Sequence, residues 1–135
     1  MKHPLDPLLG FHLVRTATMA LRAVNQAYGD LGIRHPDAAV MMAIEANPGI
    51  TQSAIGRMLN IQRSNMVPMV TRLTERDWIV REPGAGKTIR LFLSPEGKTI
   101  MPRLHEASRA GEDRLKDAIT PETYRMLLLE LRKLR

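Results

Sequence analysis

The segment from Thr51 to Ser94 constrains the fold most, because it carries the signals of two short helices and a hairpin in close succession. Thr51 predicts the start of a helix over about 52–58, since its hydroxyl can accept a hydrogen bond from an unpaired backbone amide. A break at 59–61 follows, and a second helix is predicted from residue 62 or 63 to about residue 76. Two helices joined by so short a break are the outline of a helix-turn-helix motif.

The residues after this motif predict a β-hairpin. Apolar and polar residues alternate over 88–93, where Ile89, Leu91 and Leu93 share one face, and 78–82 is strand-like as well. Pro83-Gly84-Ala85-Gly86 lies between the two segments and is a strong turn signal. The order of helix, turn, helix and hairpin therefore predicts a winged helix-turn-helix, in which the hairpin forms the wing.

Longer helices are predicted on both sides of this region. Apolar residues recur at steps of three and four from about Leu8 to Leu31, which is the spacing of one helix face. Further helices are predicted over about 36–46, over about 95–119 and after Thr120-Pro121-Glu122. We therefore expect one mainly α-helical domain over 1–135, with a winged helix-turn-helix region over 36–94 and dimerisation helices over 1–32 and 95–135.

The chain contains no cysteine, which excludes disulfides, thiolate metal sites and cysteine redox chemistry. Prolines and Asp6 interrupt its N-terminal sequence, and His12 and Arg15 break the apolar stretch that follows. Neither a signal peptide nor a transmembrane helix is predicted from such a pattern. These features lead us to expect a protein of the cytoplasm.

The charge of the chain is unevenly distributed. The formal net charge is +6, and fifteen of the twenty cationic side chains are arginine. Guanidinium groups suit bidentate and phosphate contacts better than ammonium groups do. A basic balance alone is weak evidence for a nucleic-acid partner, but the excess of basic residues over 57–90 coincides with the predicted motif and favours double-stranded DNA.

The second helix of the motif has one apolar side and one side of compact, mostly polar residues. Met66, Met69, Val70 and Leu73 cluster at 100° per residue, and the opposite side carries short side chains. In helix-turn-helix proteins this helix enters the major groove with its N-terminal residues at base edges. Such a face on an isolated helix is more often simply solvated, but the flanking helix and the basic hairpin favour DNA. The predicted contacts to bases or nearby phosphates are Thr51, Gln52, Arg63, Ser64, Asn65, Pro68 and Thr71, with Arg72 on phosphate.

Pro68 has two interpretations. Inside a helix, proline removes the hydrogen bond to the Ser64 carbonyl, at a cost of roughly 3 kcal/mol if nothing compensates. Either the helix begins later than residue 63, or it tolerates a bend on its groove-facing side. A bend would leave the Ser64 carbonyl free to accept a hydrogen bond from water or from a base amino group.

The predicted wing carries Lys87 beside its turn and Arg90 on the face opposite Ile89 and Leu91. Basic side chains on such an arm can enter the minor groove, where the electrostatic potential is negative. We therefore add Lys87 and Arg90 to the predicted DNA contacts. The alternative is an ordinary solvated hairpin with incidental charge.

These motifs resemble the MarR (multiple-antibiotic-resistance regulator) family along nearly the whole chain. The run ITQSAIGRMLNIQRSNMVPMVTRLTERDWIVRE, followed by LFLSPEGKTI, matches its pattern of a small helix, a recognition helix, an RL-E-(K/R)-G-L-V-x-R stretch and a hairpin ending L-(T/S)-x-x-G. The resemblance implies a homodimeric transcriptional regulator, commonly a repressor, that binds a pseudo-palindromic DNA site. It also implies that a small aromatic or anionic ligand releases the DNA.

The sequence departs from the family pattern at two places. Ala85 and Lys87 stand where the family commonly has Asp-x-Arg in the wing, so we expect a more mobile wing with a weaker hold on the minor groove. Asp77 replaces the usual glycine after the recognition helix. Aspartate tolerates left-handed backbone geometry better than most residues, so we expect this change to be mild.

The terminal helices carry more apolar surface than a winged helix can cover. Packing against a second copy would bury it, and this resembles the dimer of the family. The predicted interface residues are Leu9, Leu13, Leu127, Leu128, Leu131 and Leu134. By resemblance, an effector pocket would draw on His12, Arg15, Met19, Met42 and Arg103, although methionine and histidine at helical spacing are more often structural.

The sequence lacks the motifs of metal-binding proteins and of enzymes. The four histidines lack metal-ligand spacing, and no nucleophile motif is present, so we expect no enzyme activity, metal or cofactor. Gly84-Ala85-Gly86-Lys87 lacks the first glycine and the helix context of a phosphate-binding loop. The remaining alternative is a winged-helix module that binds another protein instead of DNA.

Overall fold

The computed structural model describes residues 1–135 and confirms a mainly α-helical winged helix-turn-helix. A short 3₁₀ turn at Gly29–Leu31 follows the first helix. The helices are α1 (Leu9–Tyr28), α2 (His35–Ala46), α3 (Gln52–Met58), α4 (Arg63–Glu75), α5 (Pro95–Ala118) and α6 (Pro121–Lys133), and the strands are β1 (Ile50–Thr51), β2 (Ile79–Pro83) and β3 (Ile89–Leu93).

The chain divides into two compact units. One, the terminal unit, contains residues 1–31 and 106–135, and the other, the central unit, contains residues 32–105. The division falls inside α5, so the first part of that helix belongs with the helix-turn-helix and the wing. None of the helices is long and apolar enough to cross a membrane.

The central unit contains a small antiparallel sheet in the order β1-β3-β2. Ile79 pairs with Leu93 at one end of the hairpin, and Ile50 pairs with Leu91 across the other side of β3. The sequence predicted β2 and β3 but not β1. Two residues are too few for an alternation pattern, and β1 exists because its partner strand lies about forty residues further along the chain.

The turn between α3 and α4 depends on backbone conformation. Asn60 adopts a positive φ of 52°, and the Ile61 amide donates to the Gly56 carbonyl at 2.8 Å. A side chain at Gly56 would place its Cβ 3.1 Å from the Ile61 carbonyl oxygen. Glycine at position 56 therefore favours the close approach of this turn to α3, and a larger residue would push the Ile61 carbonyl away.

Helix α4 ends in a left-handed turn at Asp77, whose φ is 57°. The Trp78 amide donates to the Leu73 carbonyl at 3.1 Å, and the Asp77 amide donates to the Thr74 carbonyl at 3.0 Å. This pair of bonds is the Schellman arrangement that usually has glycine at the left-handed position. Aspartate takes that position here, as expected from the sequence.

Ser94 joins the end of α4 to the start of α5. Its backbone amide donates to the Trp78 carbonyl at 3.0 Å, and its buried hydroxyl donates to the Asp77 carbonyl. The same hydroxyl accepts a hydrogen bond from the Gly97 amide at 2.9 Å. A Cβ at Gly97 would overlap the Trp78 carbonyl oxygen, so these two helix ends meet backbone to backbone.

The terminal unit brings α1 and α5 together at Gly111, where a side chain would overlap Val24. The Tyr124 hydroxyl of α6 donates to the Glu112 carboxylate of α5. Thr120 caps α6 by accepting a hydrogen bond from the Thr123 amide at 3.2 Å. Even so, no residue of α6 is buried.

Candidate nucleic-acid interface

The two sides of α4 differ in burial as the sequence predicts. Its apolar side chains Met66, Met69, Val70 and Leu73 are 6% exposed or less, so they belong to the core of the central unit. The opposite side lies in solvent. The exposed residues there include the predicted contacts Arg63, Ser64, Asn65, Pro68, Thr71 and Arg72.

Pro68 lies inside α4 and not before it. Since the helix begins at Arg63, the interpretation in which it starts later is wrong. Gln62 precedes the first turn, and its carbonyl accepts hydrogen bonds from the amides of Asn65 and Met66 at 2.9 and 3.0 Å. Proline has no amide hydrogen to give to Ser64, so the Ser64 carbonyl keeps its capacity to accept a hydrogen bond on the exposed side of the helix.

An open cavity of about 660 Å³ lies between the starts of α3 and α4 and the wing. It brings together Thr51, Gln52, Arg63 and Lys87, four of the residues predicted to contact DNA. Arg57 adds a third cation that was not among those predictions. No carboxylate lines this cavity, so its electrostatic potential favours an anion such as a phosphate.

Thr51 has a structural role as well as its place in this cavity. Its hydroxyl oxygen accepts a hydrogen bond from the Ala54 amide at 3.2 Å, which confirms the predicted N-cap of α3. Gln52 is the first residue of that helix and is partly exposed. The cap therefore fixes the start of α3, and Gln52 offers the free amide side chain.

Arg72 has a partner that the sequence did not reveal. Its Nη2 donates to Oδ1 of Asp37 at 3.1 Å, and Asp37 is buried while the arginine remains more than half exposed. The other carboxylate oxygen of Asp37 accepts a hydrogen bond from the Arg34 amide at the start of α2. This ion pair ties α4 to α2, so Arg72 has a structural task in addition to the predicted phosphate contact.

Arg90 is also engaged by the protein itself. Its Nη1 donates to the Gly49 carbonyl at 3.3 Å. Its backbone lies opposite Thr51 in the pairing of β1 with β3. At the wing tip, the Thr88 hydroxyl donates to the Ala85 carbonyl at 2.6 Å and the Gly84 amide donates to the Thr88 carbonyl at 2.9 Å. Thr88 therefore closes the turn in a wing that lacks the aspartate common in the family, and it leaves Lys87 exposed.

Thr71 and Val67 are linked on the exposed side of α4. The Thr71 hydroxyl donates to the Val67 carbonyl at 2.9 Å. Val67 is itself 51% exposed, although it is a large apolar residue in the middle of the predicted DNA face. Sequence reasoning did not single it out, and the signal that could have found it is its place outside the buried Met66-Met69-Val70-Leu73 side.

The terminal unit holds a separate open cavity of about 740 Å³ along α1. Three of the predicted effector residues, His12, Arg15 and Met19, line it, together with Arg22 and Arg114. No carboxylate is among its lining residues, so three guanidinium groups share one cavity without a countercharge in its wall. The other two predicted effector residues, Met42 and Arg103, belong to the central unit.

His12 is held by the N-terminal segment. Its Nε2 lies 2.7 Å from the Asp6 carbonyl oxygen and 3.7 Å from the Asp6 carboxylate. In the central unit, burial lowers the pKa of His35 and favours the neutral imidazole. The His, Cys, Asp and Glu side chains form no group of three that could hold a metal ion.

The predicted dimer residues share one property, which is exposure of apolar surface. Leu13 is partly buried, and Leu9 is 70% exposed. The leucines of α6 lie in solvent along its whole length. Those predicted to form the interface are Leu127, Leu128, Leu131 and Leu134.

The fold and this site together define a winged helix-turn-helix protein, and comparisons with known proteins identify its family. The MarR family model matches residues 31–87. A protein of Thauera aromatica named for transcriptional regulation of the hcr operon is 32% identical over 117 residues, which cover 82% of this chain and 70% of that protein. The chain belongs to the MarR family, as its motifs predicted, and is a transcriptional regulator of the MarR type.

Solved structures agree with this fold over the full length of the chain. The transcriptional repressor CouR bound to p-coumaroyl-CoA aligns with a TM-score of 0.88 at 26% identity, covering 99% of this chain and 96% of that one. CouR bound to a 23-mer DNA duplex aligns with a TM-score of 0.88 at 24% identity, covering 99% of each chain.

Proposed function

We propose that this protein is a sequence-specific, double-stranded DNA-binding repressor that acts as a homodimer on a pseudo-palindromic operator. The observation that carries the proposal is the exposed side of α4, where Arg63, Ser64 and Asn65 occupy the first turn beside a cavity lined by cations and no carboxylate. The helix-turn-helix geometry presents that turn to the major groove.

In this arrangement the first turn of α4 makes the base contacts. The Asn65 amide can bond in a bidentate manner to adenine, and the Arg63 guanidinium can bond to guanine or to a nearby phosphate. The short hydroxyl of Ser64 allows the helix backbone to approach closely. Arg57 and Lys87, which line the same cavity as Arg63, neutralise phosphates on the DNA backbone.

The homodimer follows from the exposed apolar surface of the terminal unit. The leucines of α6 and the start of α1 present this surface on the unit that lacks the helix-turn-helix. A second copy would cover it, and two-fold symmetry would then present two α4 helices to successive major grooves. The operator would accordingly have two half-sites about one helical turn apart.

The DNA-binding proposal is tested by selecting a binding site from random duplexes and from the gene's own upstream region. Affinity is then measured over a range of salt concentrations. We expect a palindromic preference and an affinity that falls steeply with salt. Arg57→Ala should reduce the salt slope by about 1, since it removes one phosphate contact, whereas Arg109→Ala, an exposed arginine of the terminal unit, should leave it unchanged. A flat salt dependence, or no sequence preference, would favour a protein-binding module.

We further propose that the effector combines an aromatic group with several negative charges, as an aromatic acyl-CoA does. The arginine-lined cavity of the terminal unit supports this, because Arg15, Arg22 and Arg114 face no carboxylate in its wall. The structural relative CouR is described as bound to p-coumaroyl-CoA, a ligand of that class. Phosphate groups pair well with clustered guanidinium groups.

The effector proposal is tested by operator release. p-Coumaroyl-CoA is compared with p-coumarate and with free coenzyme A, and we expect the thioester to release the DNA at the lowest concentration. Arg22→Ala and Arg15→Ala should raise the concentration required by about tenfold, the value for one charge-assisted contact. Arg132→Ala, on α6 away from the cavity, is the matched control. Unaltered release from the Arg15→Ala and Arg22→Ala variants would contradict the proposed effector cavity.

A further inference from the structure

An exposed apolar patch interrupts the polar side of α4. Val67 is 51% exposed, whereas the core residues of the same helix are almost fully buried. These are Met66, Met69, Val70 and Leu73. Pro68 is exposed beside it, and Thr71 is exposed one turn further along the helix. Residues three and four apart are neighbours on a helix surface, so these three side chains form one continuous patch.

Thr71 contributes apolar surface to this patch because its polar hydrogen is already used. The hydroxyl donates to the Val67 carbonyl of the same helix at 2.9 Å. Val67 and Pro68 have no polar side-chain atom at all, so the patch offers no hydrogen to a base edge. The polar donors on Arg63, Ser64 and Asn65 lie in the preceding turn, and Arg72, in the following turn, donates to Asp37.

The major groove contains one apolar feature that such a patch fits. Thymine carries a C5-methyl group there, whereas the other base edges present hydrogen-bond donors and acceptors. We propose that Val67, with Pro68 and Thr71 around it, contacts a thymine methyl group in each operator half-site. This inference rests on the proposed DNA-binding function and adds to it a specificity-determining residue and the base that the residue recognises.

With this assignment, the first two turns of α4 recognise bases in different ways. The first turn discriminates bases by hydrogen bonds, and the second turn discriminates thymine from cytosine by shape and hydrophobicity. Burying one methyl group changes the affinity by about fourfold. Because this effect is small, the test must remove the thymine methyl group and leave the rest of the DNA unchanged.

The experiment uses the selected operator duplex and replaces each thymine, one at a time, by 2′-deoxyuridine, which lacks only the methyl group. The wild-type protein should lose about fourfold in affinity at one thymine per half-site, the worth of one methyl group. Val67→Ala should bind the normal operator more weakly and should be insensitive to deoxyuridine at that position. Val67→Thr keeps the shape and one methyl group, and should retain part of the sensitivity.

The outcomes separate this inference from the function on which it rests. If the protein prefers a palindromic site but tolerates every deoxyuridine replacement, the thymine contact is wrong and the DNA-binding function stands. The same conclusion follows if Val67→Ala is as sensitive as the wild type. If the protein binds no sequence preferentially, the proposed function itself fails. Val67 is an exposed position, and unchanged thermal unfolding of the variants confirms that they fold.

Discussion

Helices α4 and α6 both have thirteen residues, but they differ in how much of their apolar surface the chain itself covers. The four core residues of α4 are covered by its own unit, and its polar side lies in solvent. In α6 no residue is buried, and its leucines are between 37% and 58% exposed. A helix whose apolar side is already covered offers its polar side to a partner, whereas α6 offers its apolar side.

The comparison shows which kind of partner each unit fits. Polar and cationic groups at fixed spacing suit a polyanion with patterned edges, such as a DNA groove. Exposed leucines in a row suit a second protein surface of the same chemistry, because contact then removes apolar area from water on both sides. The two surfaces lie on different units of the chain, so mutations can separate their effects.

The largest expected effect comes from placing charge on α6. Leu128→Glu combined with Leu131→Glu should convert the protein to a monomer, because carboxylates would be buried in an apolar interface. Operator affinity should fall by at least about a thousandfold, or about 4 kcal/mol, since one half-site is lost. Sedimentation should give the mass of one chain, while Arg132→Glu, on the same helix, should remain dimeric. If the wild-type protein is itself a monomer at micromolar concentration, the leucines of α6 do not form a dimer interface.

A smaller effect is expected where the central unit is most tightly packed. Gly97→Ala should lower the free energy of unfolding by about 3 kcal/mol, because the new Cβ would overlap the Trp78 carbonyl. Gly10→Ala in α1 is the matched control, since a Cβ there meets nothing within 4 Å. That variant should be about 0.5 kcal/mol more stable, as alanine favours a helix. Equal denaturant midpoints for the two variants would contradict the backbone contact.

The ion pair between α4 and α2 should contribute less. Arg72→Ala should lower the free energy of unfolding by about 1–2 kcal/mol, because it leaves the buried Asp37 carboxylate with only the Arg34 amide. Arg57→Ala, which also removes a cation from the central unit, should leave stability unchanged while weakening DNA binding. Denaturant unfolding and operator affinity of both variants distinguish the two roles, and equal stability of both would assign Arg72 to DNA alone.

The smallest effect concerns the bond that holds α6 to α5. The hydrogen bond from Tyr124 to the Glu112 carboxylate raises the pKa of the phenol above its ordinary value of 10.0. A raised folded-state pKa means that the stabilisation is complete below pH 10 and declines as the pH rises through the folded value. Tyr124→Phe should therefore be less stable at neutral pH and should lose this alkaline dependence. Ultraviolet titration of the phenolate, with Glu112→Gln as control, measures the shift directly.

The sequence predicted the parts of the fold that depend on near neighbours. The helices, the Thr51 cap and the hairpin follow from residues only a few positions apart, and the left-handed Asp77 follows from the family resemblance, in which glycine is usual there. It did not predict β1, because the strand is defined by pairing with β3. Nor did it predict that Arg72 binds Asp37 or that Arg90 binds Gly49, since these partners lie 35 and 41 positions away in the chain.

The candidate site shows the same limit. The periodicity of α4 identified its exposed side, and Arg63, Ser64 and Asn65 lie there as predicted. Periodicity could not show that the Thr71 hydroxyl is occupied or that Val67 is uncovered, because both depend on side-chain contacts and solvent exposure. The same holds for Arg22 and Arg114, whose shared cavity requires α1 and α5 to be placed together.

The hydrogen bonds of Ser94 have a consequence for how motion passes through the central unit. The Ser94 hydroxyl and amide bind the carbonyls of Asp77 and Trp78, just after α4, and a Cβ at Gly97 would overlap the Trp78 carbonyl oxygen. These contacts couple the position of the start of α5 to that of the residues that end α4. The C-terminal end of the recognition helix is therefore held to the start of α5, while the buried Met66 and the ion pair between Arg72 and Asp37 hold the same helix to the rest of the central unit, so that a tilt of α5 would reach the DNA-facing side through a packed core.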